Sequence, residues 1–221
     1  MPKATWPRGD ETQVLIESAR SGDLDAVNQL LDRHRGGIRR LVELRLDRKV
    51  QRRVDVSDVV QDVMVEASGR LDKYLDDPVM AFHLWLRQIA WDHIIDTYRR
   101  HRVSAKRNMD REQPLNTGGD QVDESSVDLA IQIQDPAMTP AAVATQREIA
   151  GRVEAAIDLL DDHDRDVILM RHYEHLSNLE IAEVLGLNPP AASMRYLRAV
   201  RRLRTILAEQ DAEFSEDASD G

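Results

Sequence analysis

The sequence predicts an all-α protein with two small helical domains joined by a long acidic linker. Apolar residues recur at helical spacing on both sides of residues 108–146, whereas that stretch is rich in proline, glycine, serine and acids and shows no such period. Aromatic residues make up only 4% of the chain and charged residues 32%, as is typical of solvated helices. We expect a flexible lead over 1–10, domains at 11–107 and 147–207, and an acidic tail over 208–221.

The formal net charge of −10 is concentrated outside the two predicted domains. Residues 108–150 carry a net charge of −6 and residues 208–221 another −6, so the bases stand in blocks elsewhere. Affinity for DNA follows such local clusters rather than the total charge. The absence of cysteine excludes disulfides and thiolate metal sites, and no apolar run resembles a membrane span or a signal-peptide core. We therefore expect a cytoplasmic protein with no membrane partner and no cofactor.

Two helices open the first predicted domain. One is expected over Glu11–Ser21 and is ended by Gly22, after which Asp23 caps the next. Nine bases stand against two acids over Arg33–Arg53. Such a block is either a solvated helix face or a surface that contacts a nucleic-acid backbone, and the sequence favours neither.

An amphipathic helix is predicted over residues 54–71. Its valines favour a strand by propensity, but apolar residues at i, i+3, i+4, i+7 and i+11 from Val56 decide for a helix. Asp55 or Ser57 can cap it. The opposite face carries acids and an amide, with no basic partner expected inside the helix, and is either solvated or a docking surface for a basic protein. Its residues are Asp58, Gln61, Asp62 and Glu66.

The aromatic residues of the first domain cluster in a second long helix. Residues 71–77 are expected as a loop or short helix, after which the pair Asp77-Pro78 caps and opens a helix to about Arg100. Trp85 falls in its apolar stripe, which favours core packing. Trp91 falls on the far side, beside bases, where packing against a neighbouring helix and stacking on a nucleic-acid base fit equally well.

The second domain is expected to contain two helices before its most informative stretch. The linker holds one short helical piece at Val127–Ile133, and a helix stripe begins at Arg147. A further helix is predicted over Asp164–Tyr173. The stretch Ser177–Leu207 then follows as two helices joined by a tight turn.

Turn and cap residues define Ser177–Leu207. Ser177 and Glu180 fit the S-x-x-E capping box of a helix start. Gly186 stands where that helix must end in a left-handed conformation. Asn188 then caps a second helix. This arrangement is typical of a helix-turn-helix, whose second helix enters the DNA major groove.

The second helix of this pair has two different faces. An apolar stripe for a core is formed by Ala192, Tyr196, Ala199 and Leu203. Residues 189–207 contain five arginines and no acid, so no ion pair forms within this stretch. The pattern favours a DNA-binding face over a merely solvated one. That face is lined by Ala191, Arg195, Arg198 and Arg202.

Three blocks of sequence resemble one known family. Residues 158–204 resemble region 4 of bacterial sigma-70-type factors, VDVSDVVQDVMVEA over 54–67 is similar to region 2.2, and FHLWLRQIAWDHIIDTYRRHR over 82–102 is similar to regions 2.3–2.4. With a linker in place of region 3, the chain resembles the extracytoplasmic-function (ECF) sigma factors. The resemblance implies a protein that binds core RNA polymerase and directs promoter recognition, melting and initiation. It also leaves room for an anti-sigma factor as a further partner.

The resemblance implies a role for each matching position. Residues that face the polymerase clamp are Asp58, Gln61, Asp62 and Glu66. Residues that capture and melt the −10 element are Lys73, Tyr74, Arg87, Gln88, Trp91, Asp92, Arg99 and Arg100. Residues that read the −35 element are Asn188, Ala191, Ser193, Met194, Arg195, Arg198 and Arg202. The chain departs from the usual family pattern at Pro189-Pro190, at Val200, and at His93, which stands on a helix side that is usually apolar.

Two other functions fit parts of the sequence. A stand-alone regulator that binds operators explains Ser177–Leu207 equally well but gives no reason for residues 54–102. A zinc hydrolase is the second alternative, but the run His172-Tyr173-Glu174-His175 is one residue short of the zinc motif H-x-x-E-H, and no third ligand is suggested. The sequence contains no P-loop, G-x-S-x-G or G-x-G-x-x-G. We expect no enzymatic activity and no metal site.

Overall fold

The computed structural model describes residues 6–46, 48–51, 53–105, 125–126, 129 and 143–217. Over these residues the chain forms helices and no strand, which confirms the predicted all-α class. It divides into two compact units, Met1–Asn116 and Thr117–Gly221. Within the described ranges, no helix is long and apolar enough to cross a membrane.

The described helices of the N-terminal unit are α1 (Asp10–Arg20), α2 (Leu24–Arg45), α3 (Arg48–Gln51), α4 (Val56–Asp76) and α5 (Phe82–Ala105). Aspartates cap α2 and α4: Asp23 is the predicted cap of α2, and Asp55 is one of the two candidates for α4. The Asp23 carboxylate accepts from the amides of residues 25 and 26, and that of Asp55 accepts from the amide of residue 57. Each carboxylate satisfies amides that the first turn leaves without a partner.

The core of this unit lies where α2, α4 and α5 pack together. Their fully buried side chains follow helical spacing, and include Leu30, Ile38, Leu41, Val63, Ala67, Leu86 and Ala90. Helix α1 packs on α2 and α4, and the Arg20 Nε donates to the carbonyl of Leu75 at 2.9 Å. The valine-rich segment is therefore helical because its apolar period matches a helix face that packs against two neighbours.

Residues 1–10 are not simply a flexible lead. Trp6 is only 1% exposed, and its ring centroid lies 6.2 Å from that of His83 on α5. Residues 1–5 lie outside the described ranges. The prediction is wrong at Trp6. The nearby prolines and glycine indicate a flexible segment, but burial of the large Trp6 side chain holds this part of the chain against the helices.

Two predicted boundaries between α4 and α5 are also wrong. Helix α4 continues through Asp76, because Leu71, Tyr74 and Leu75 extend its buried stripe by another two turns. Helix α5 begins at Phe82 rather than at Pro78, and the carbonyl of Ala81 accepts its first backbone bonds. Tertiary packing outweighs the Asp-Pro start signal here.

The described helices of the C-terminal unit are α6 (Val143–Asp158), α7 (Asp162–Ile168), α8 (Asn178–Leu185) and α9 (Pro189–Asp217), with a π-helical segment over Leu169–Tyr173. The helix predicted over Asp164–Tyr173 is therefore divided between α7 and the π-helical segment, where the amide of Glu174 bonds the carbonyl of Leu169 at 2.9 Å. Helix α9 continues to Asp217, so the predicted acidic tail is helical from residue 208 to there. Residues 218–221 lie outside the described ranges.

Part of the predicted linker belongs to the core of the C-terminal unit. Most of 108–146 lies outside the described ranges, but Ser126 and Leu129 are helical and 0% exposed. The Ser126 hydroxyl donates to the Glu154 carboxylate at 2.7 Å and lies 3.0 Å from the Tyr173 hydroxyl. The predicted helical piece at 127–133 is described only at Leu129, and helix α6 begins at Val143, inside the predicted linker.

Candidate nucleic-acid interface

The turn between α8 and α9 has the geometry that its sequence predicts. The Ser177 hydroxyl accepts from the amide of Glu180 at 3.3 Å, and the Glu180 carboxylate accepts from the amide of Ser177 at 2.6 Å. Gly186 adopts φ 61° and ψ 33°, the left-handed conformation. The amide of Leu187 then bonds the carbonyl of Ala182 at 2.8 Å, which closes the end of α8.

Two asparagines fix where α9 begins. The Asn188 side-chain oxygen accepts from the amide of Ala191 at 2.8 Å, as expected of a cap. The Asn178 side-chain amide, at the start of α8, donates to the carbonyl of Pro189 at 3.0 Å. The Asn178 bond thus ties the start of α8 to the start of α9.

The core-facing stripe of α9 is the predicted one. Ala192, Ala199 and Leu203 are fully buried. Tyr196 is half-buried, and its hydroxyl lies 2.9 Å from Nε2 of His172. Burial raises the pKa of the Tyr196 hydroxyl, so it remains a neutral partner for the imidazole at physiological pH. His172, part of the incomplete zinc motif, is therefore bonded within the core of this unit.

The predicted DNA-reading face of α9 is accessible. Arg198 and Arg202 are exposed and Met194 is 52% exposed. Ala191, Ser193 and Arg195 are half-buried. Asn188 is exposed, although its side-chain oxygen already serves the helix cap.

An acid on α7 lies beside this face. Burial, followed by the neighbouring Asp161 carboxylate, raises the pKa of Asp164, while Arg198 and Arg195 oppose the rise. The two arginines thus have an acidic neighbour from another helix, which the absence of acids within residues 189–207 did not reveal. The sequence predicted the arginine face but not this contribution from α7.

The predicted polymerase-facing residues share one side of α4. Asp58, Gln61 and Asp62 are exposed. Glu66 is half-buried, and its carboxylate contacts both Arg70 on α4 and the Nε2 of His93 on α5. The expectation that no base within this helix pairs with the acidic face is therefore wrong at Glu66. His93, which departs from the usual apolar pattern, is the residue that binds it across the helix interface.

The residues predicted to meet −10 DNA divide into exposed and buried groups. Tyr74 is 5% exposed, its ring stacks on Trp85 at 4.7 Å, and its hydroxyl donates to the carbonyl of Met80 at 2.9 Å. Arg87 is also 5% exposed. Tyr74 and Arg87 are therefore buried packing residues in this structure. Exposed members of the set are Lys73, Gln88, Asp92, Arg99 and Arg100.

Trp91 is half-buried beneath two arginines. The guanidinium carbon of Arg45 lies 5.0 Å from the indole centroid, and that of Arg87 lies 5.8 Å away. Arg45 comes from the end of α2, within the block of bases over Arg33–Arg53. No sequence spacing indicates that it reaches Trp91, because the contact depends on how α2 packs against α5.

Comparison with known families matches each unit separately. The model described as "Sigma-70 region 2" matches residues 30–103, and the one described as "Sigma-70, region 4" matches residues 150–203. The first match contains α4 and almost all of α5, and the second contains α7, α8 and the arginine face of α9. A stand-alone operator-binding regulator does not account for the first match.

Individual relatives agree with the family models. The RNA polymerase sigma factor CnrH of Cupriavidus metallidurans is 30% identical over 92% of this chain and 97% of its own length. The ECF RNA polymerase sigma-E factor of Escherichia coli K12 is 26% identical over 85% of this chain and 89% of its own length. A solved structure of CnrH in complex with the cytosolic domain of CnrY is 26% identical, with a TM-score of 0.56, over 90% of this chain and 99% of that one. The chain belongs to the sigma-70 family of RNA polymerase sigma factors, in its ECF group.

Proposed function

We propose that this sigma factor grips promoter DNA at two points while its α4 docks on core RNA polymerase. The arginine face of α9 reads the −35 element, and the exposed surface around Trp91 acts on the −10 element. The observation that carries this proposal is the separation of charge. An exposed acidic face lies on α4 in one unit, and an exposed arginine face lies on α9 in the other. The polymerase catalyses RNA synthesis.

At the −35 element, α9 supplies both cations and small side chains. Arginine binds guanine O6 and N7 in the major groove or a backbone phosphate, and Arg195, Arg198 and Arg202 share one face for this task. The exposed thioether of Met194 and the methyl of Ala191 suit the thymine methyl group. Asn188 contributes mainly by capping α9, so it positions the helix rather than reading a base.

At the −10 element, the N-terminal unit must bind DNA whose two strands separate. Unstacking a base requires a few kcal/mol, which contacts to the released strand must offset. Gln88 and Asp92 flank Trp91 in sequence and are exposed, while Arg99 and Arg100 are exposed cations further along α5. Tyr74 and Arg87 support this surface from within.

Neither DNA contact has to be strong alone. Core polymerase holds both units, so binding at one promoter element raises the effective concentration of the other unit at its own element. The acidic total charge also limits binding to random DNA by the free chain.

Two matched pairs of substitutions test which unit binds polymerase and which reads the −35 element. Asp62→Lys should lower affinity for core polymerase, whereas Glu17→Lys, on exposed α1, should not. Arg195→Ala should weaken −35-dependent transcription by roughly 1–3 kcal/mol with unchanged core affinity. Its control is Arg204→Ala, because Arg204 lies two and a half turns along α9 and so on the opposite side. Loss of core binding in Arg195→Ala, or equal effects of the paired variants, would contradict these assignments.

A protein partner besides polymerase is a further part of the proposal. CnrH, which aligns with nearly all of this chain, has been solved in complex with the cytosolic domain of CnrY. That complex supports the expectation that this chain also binds a regulatory protein of the anti-sigma class.

A further inference from the structure

Arg45 has no role in the proposed function, yet its side chain reaches Trp91, the residue around which the −10 contact is proposed. Its guanidinium carbon lies 5.0 Å from the Trp91 centroid, closer than that of Arg87 at 5.8 Å. A cation over an indole is attracted to the ring and restrains its position. Trp91 remains half-buried, so part of its surface faces solvent.

The end of α2 is fixed by bonds that do not involve the Arg45 side chain. The Tyr98 hydroxyl, on α5, donates to the carbonyl of Arg45 at 2.8 Å. The amide of Leu46 donates to the carbonyl of Val42 at 2.9 Å. Because both bonds are made by the backbone of this segment, replacing the Arg45 side chain leaves them in place.

We propose that Arg45 is a positioning residue for promoter opening, which holds the Trp91 indole where a base released from the −10 duplex can stack on it. The inference rests on the −10 role proposed for Trp91. An aromatic ring that is already held in place loses little conformational entropy when the base stacks on it. More of the stacking energy is then left to offset the cost of removing that base from the duplex. The Arg45 charge beside the ring also attracts the phosphates of the released strand.

The experiment uses the full chain bound to core polymerase on a duplex promoter, with permanganate oxidation of unpaired thymines as the measure of opening. Arg45→Ala should reduce opening about two- to tenfold, the range that a cation–π contact on a half-exposed ring supplies. Arg45→Met, which keeps the apolar stem, should behave like alanine, and Arg45→Lys should retain most of the activity. Arg35→Ala is the matched control, because it removes a base from the same helix where that base pairs with Asp32.

A double-mutant cycle with Trp91→Ala tests whether Arg45 acts through the ring. In the Trp91→Ala background, Arg45→Ala should reduce opening no further. If the two substitutions reduced opening independently, so that their effects multiplied, the inference would be overturned. It would also be overturned if the loss of opening in Arg45→Ala were explained by weaker core binding or by a lower urea midpoint. Should Trp91→Ala leave opening unchanged, the −10 role proposed for Trp91 fails and the Arg45 inference with it. Should Trp91→Ala reduce opening while Arg45→Ala does not, the inference alone fails.

Discussion

The carboxylate of Glu66 on α4 contacts the imidazole Nε2 of His93 on α5, at the edge of the acidic face predicted to meet polymerase. Both side chains are less than one-third exposed, at 29% and 18%. Glu66 therefore ties two helices of the N-terminal unit together, while Asp58 and Asp62 on the same face remain exposed. One acidic surface thus contains a carboxylate that is paired across a helix interface and two that are exposed.

Removal of this helix-to-helix contact should lower stability without touching the exposed acids. His93→Ala should reduce the free energy of unfolding of the N-terminal unit by about 1 kcal/mol, because a partly buried carboxylate loses a hydrogen-bond partner. Urea unfolding followed by tryptophan fluorescence measures this unit alone, since Trp6, Trp85 and Trp91 all lie in it. Asp62→Ala is the control and should change stability by less than about 0.5 kcal/mol. Equal midpoints for His93→Ala and the parent chain would contradict the structural role.

Stability of the N-terminal unit should fall as the pH drops below about 6.5, because of His34. This histidine is 0% exposed, and its Nδ1 lies 2.9 Å from the carbonyl of Leu30. Burial lowers the pKa of His34 from its ordinary value of 6.5, and the nearby His83 and Arg33 lower it further. The unfolded chain thus binds the proton at higher pH than the folded chain, and the loss of stability ends once the folded-state pKa is passed.

Urea midpoints measured from about pH 8 to pH 5 check this dependence on His34. His34→Gln should lower stability at neutral pH and flatten the slope of stability against pH in that window. His163→Gln, on the exposed surface of the C-terminal unit, should leave the slope of the tryptophan-detected transition unchanged. A slope that persists in His34→Gln would assign the effect to other groups.

The buried part of the predicted linker should stabilise the C-terminal unit. Leu129→Ala should cost about 2–4 kcal/mol, because Leu129 is fully buried. The loss should appear in helix content by circular dichroism and not in tryptophan fluorescence, since the C-terminal unit contains no tryptophan. Leu159→Ala, at a residue 65% exposed in the same unit, is the matched control. Similar midpoints for the two variants would mean that residue 129 is not part of the core.

Local chemistry made the helix-turn-helix the most predictable part of the fold. Ser177, Glu180, Gly186 and Asn188 each perform the cap or turn role that their sequence positions indicate. Where tertiary packing decides, prediction from sequence failed. Pro78 did not open α5, because the Tyr74 hydroxyl holds the carbonyl of Met80 outside the helix. In the same way, contacts between distant segments, such as Arg45 with Trp91 or Ser126 with Glu154, have no signature in local spacing.

Two glycines should respond to alanine in opposite directions. Gly186 has φ 61°, so Gly186→Ala should destabilise the C-terminal unit by about 1 kcal/mol through backbone strain alone, since a Cβ there meets nothing within 4 Å. Gly36 lies in the exposed interior of α2, where a Cβ also has open space. Gly36→Ala should stabilise the N-terminal unit by about 0.5–1 kcal/mol, because alanine favours the helix. Circular dichroism follows the C-terminal unit and tryptophan fluorescence follows the N-terminal unit. A Gly186→Ala variant that is more stable than the parent chain would contradict the left-handed turn.

The most direct test of the two-point account is to sequence the 5′ ends of transcripts made from genomic DNA by core polymerase with and without this protein. We expect a set of start sites that appears only with the protein, each preceded by shared −35 and −10 elements at a constant spacing. Arg195→Ala should weaken initiation at these sites, and Asp62→Lys should abolish it through loss of core binding. Sequence-specific binding of duplex DNA by the free protein, without any start site that depends on it, would contradict the account.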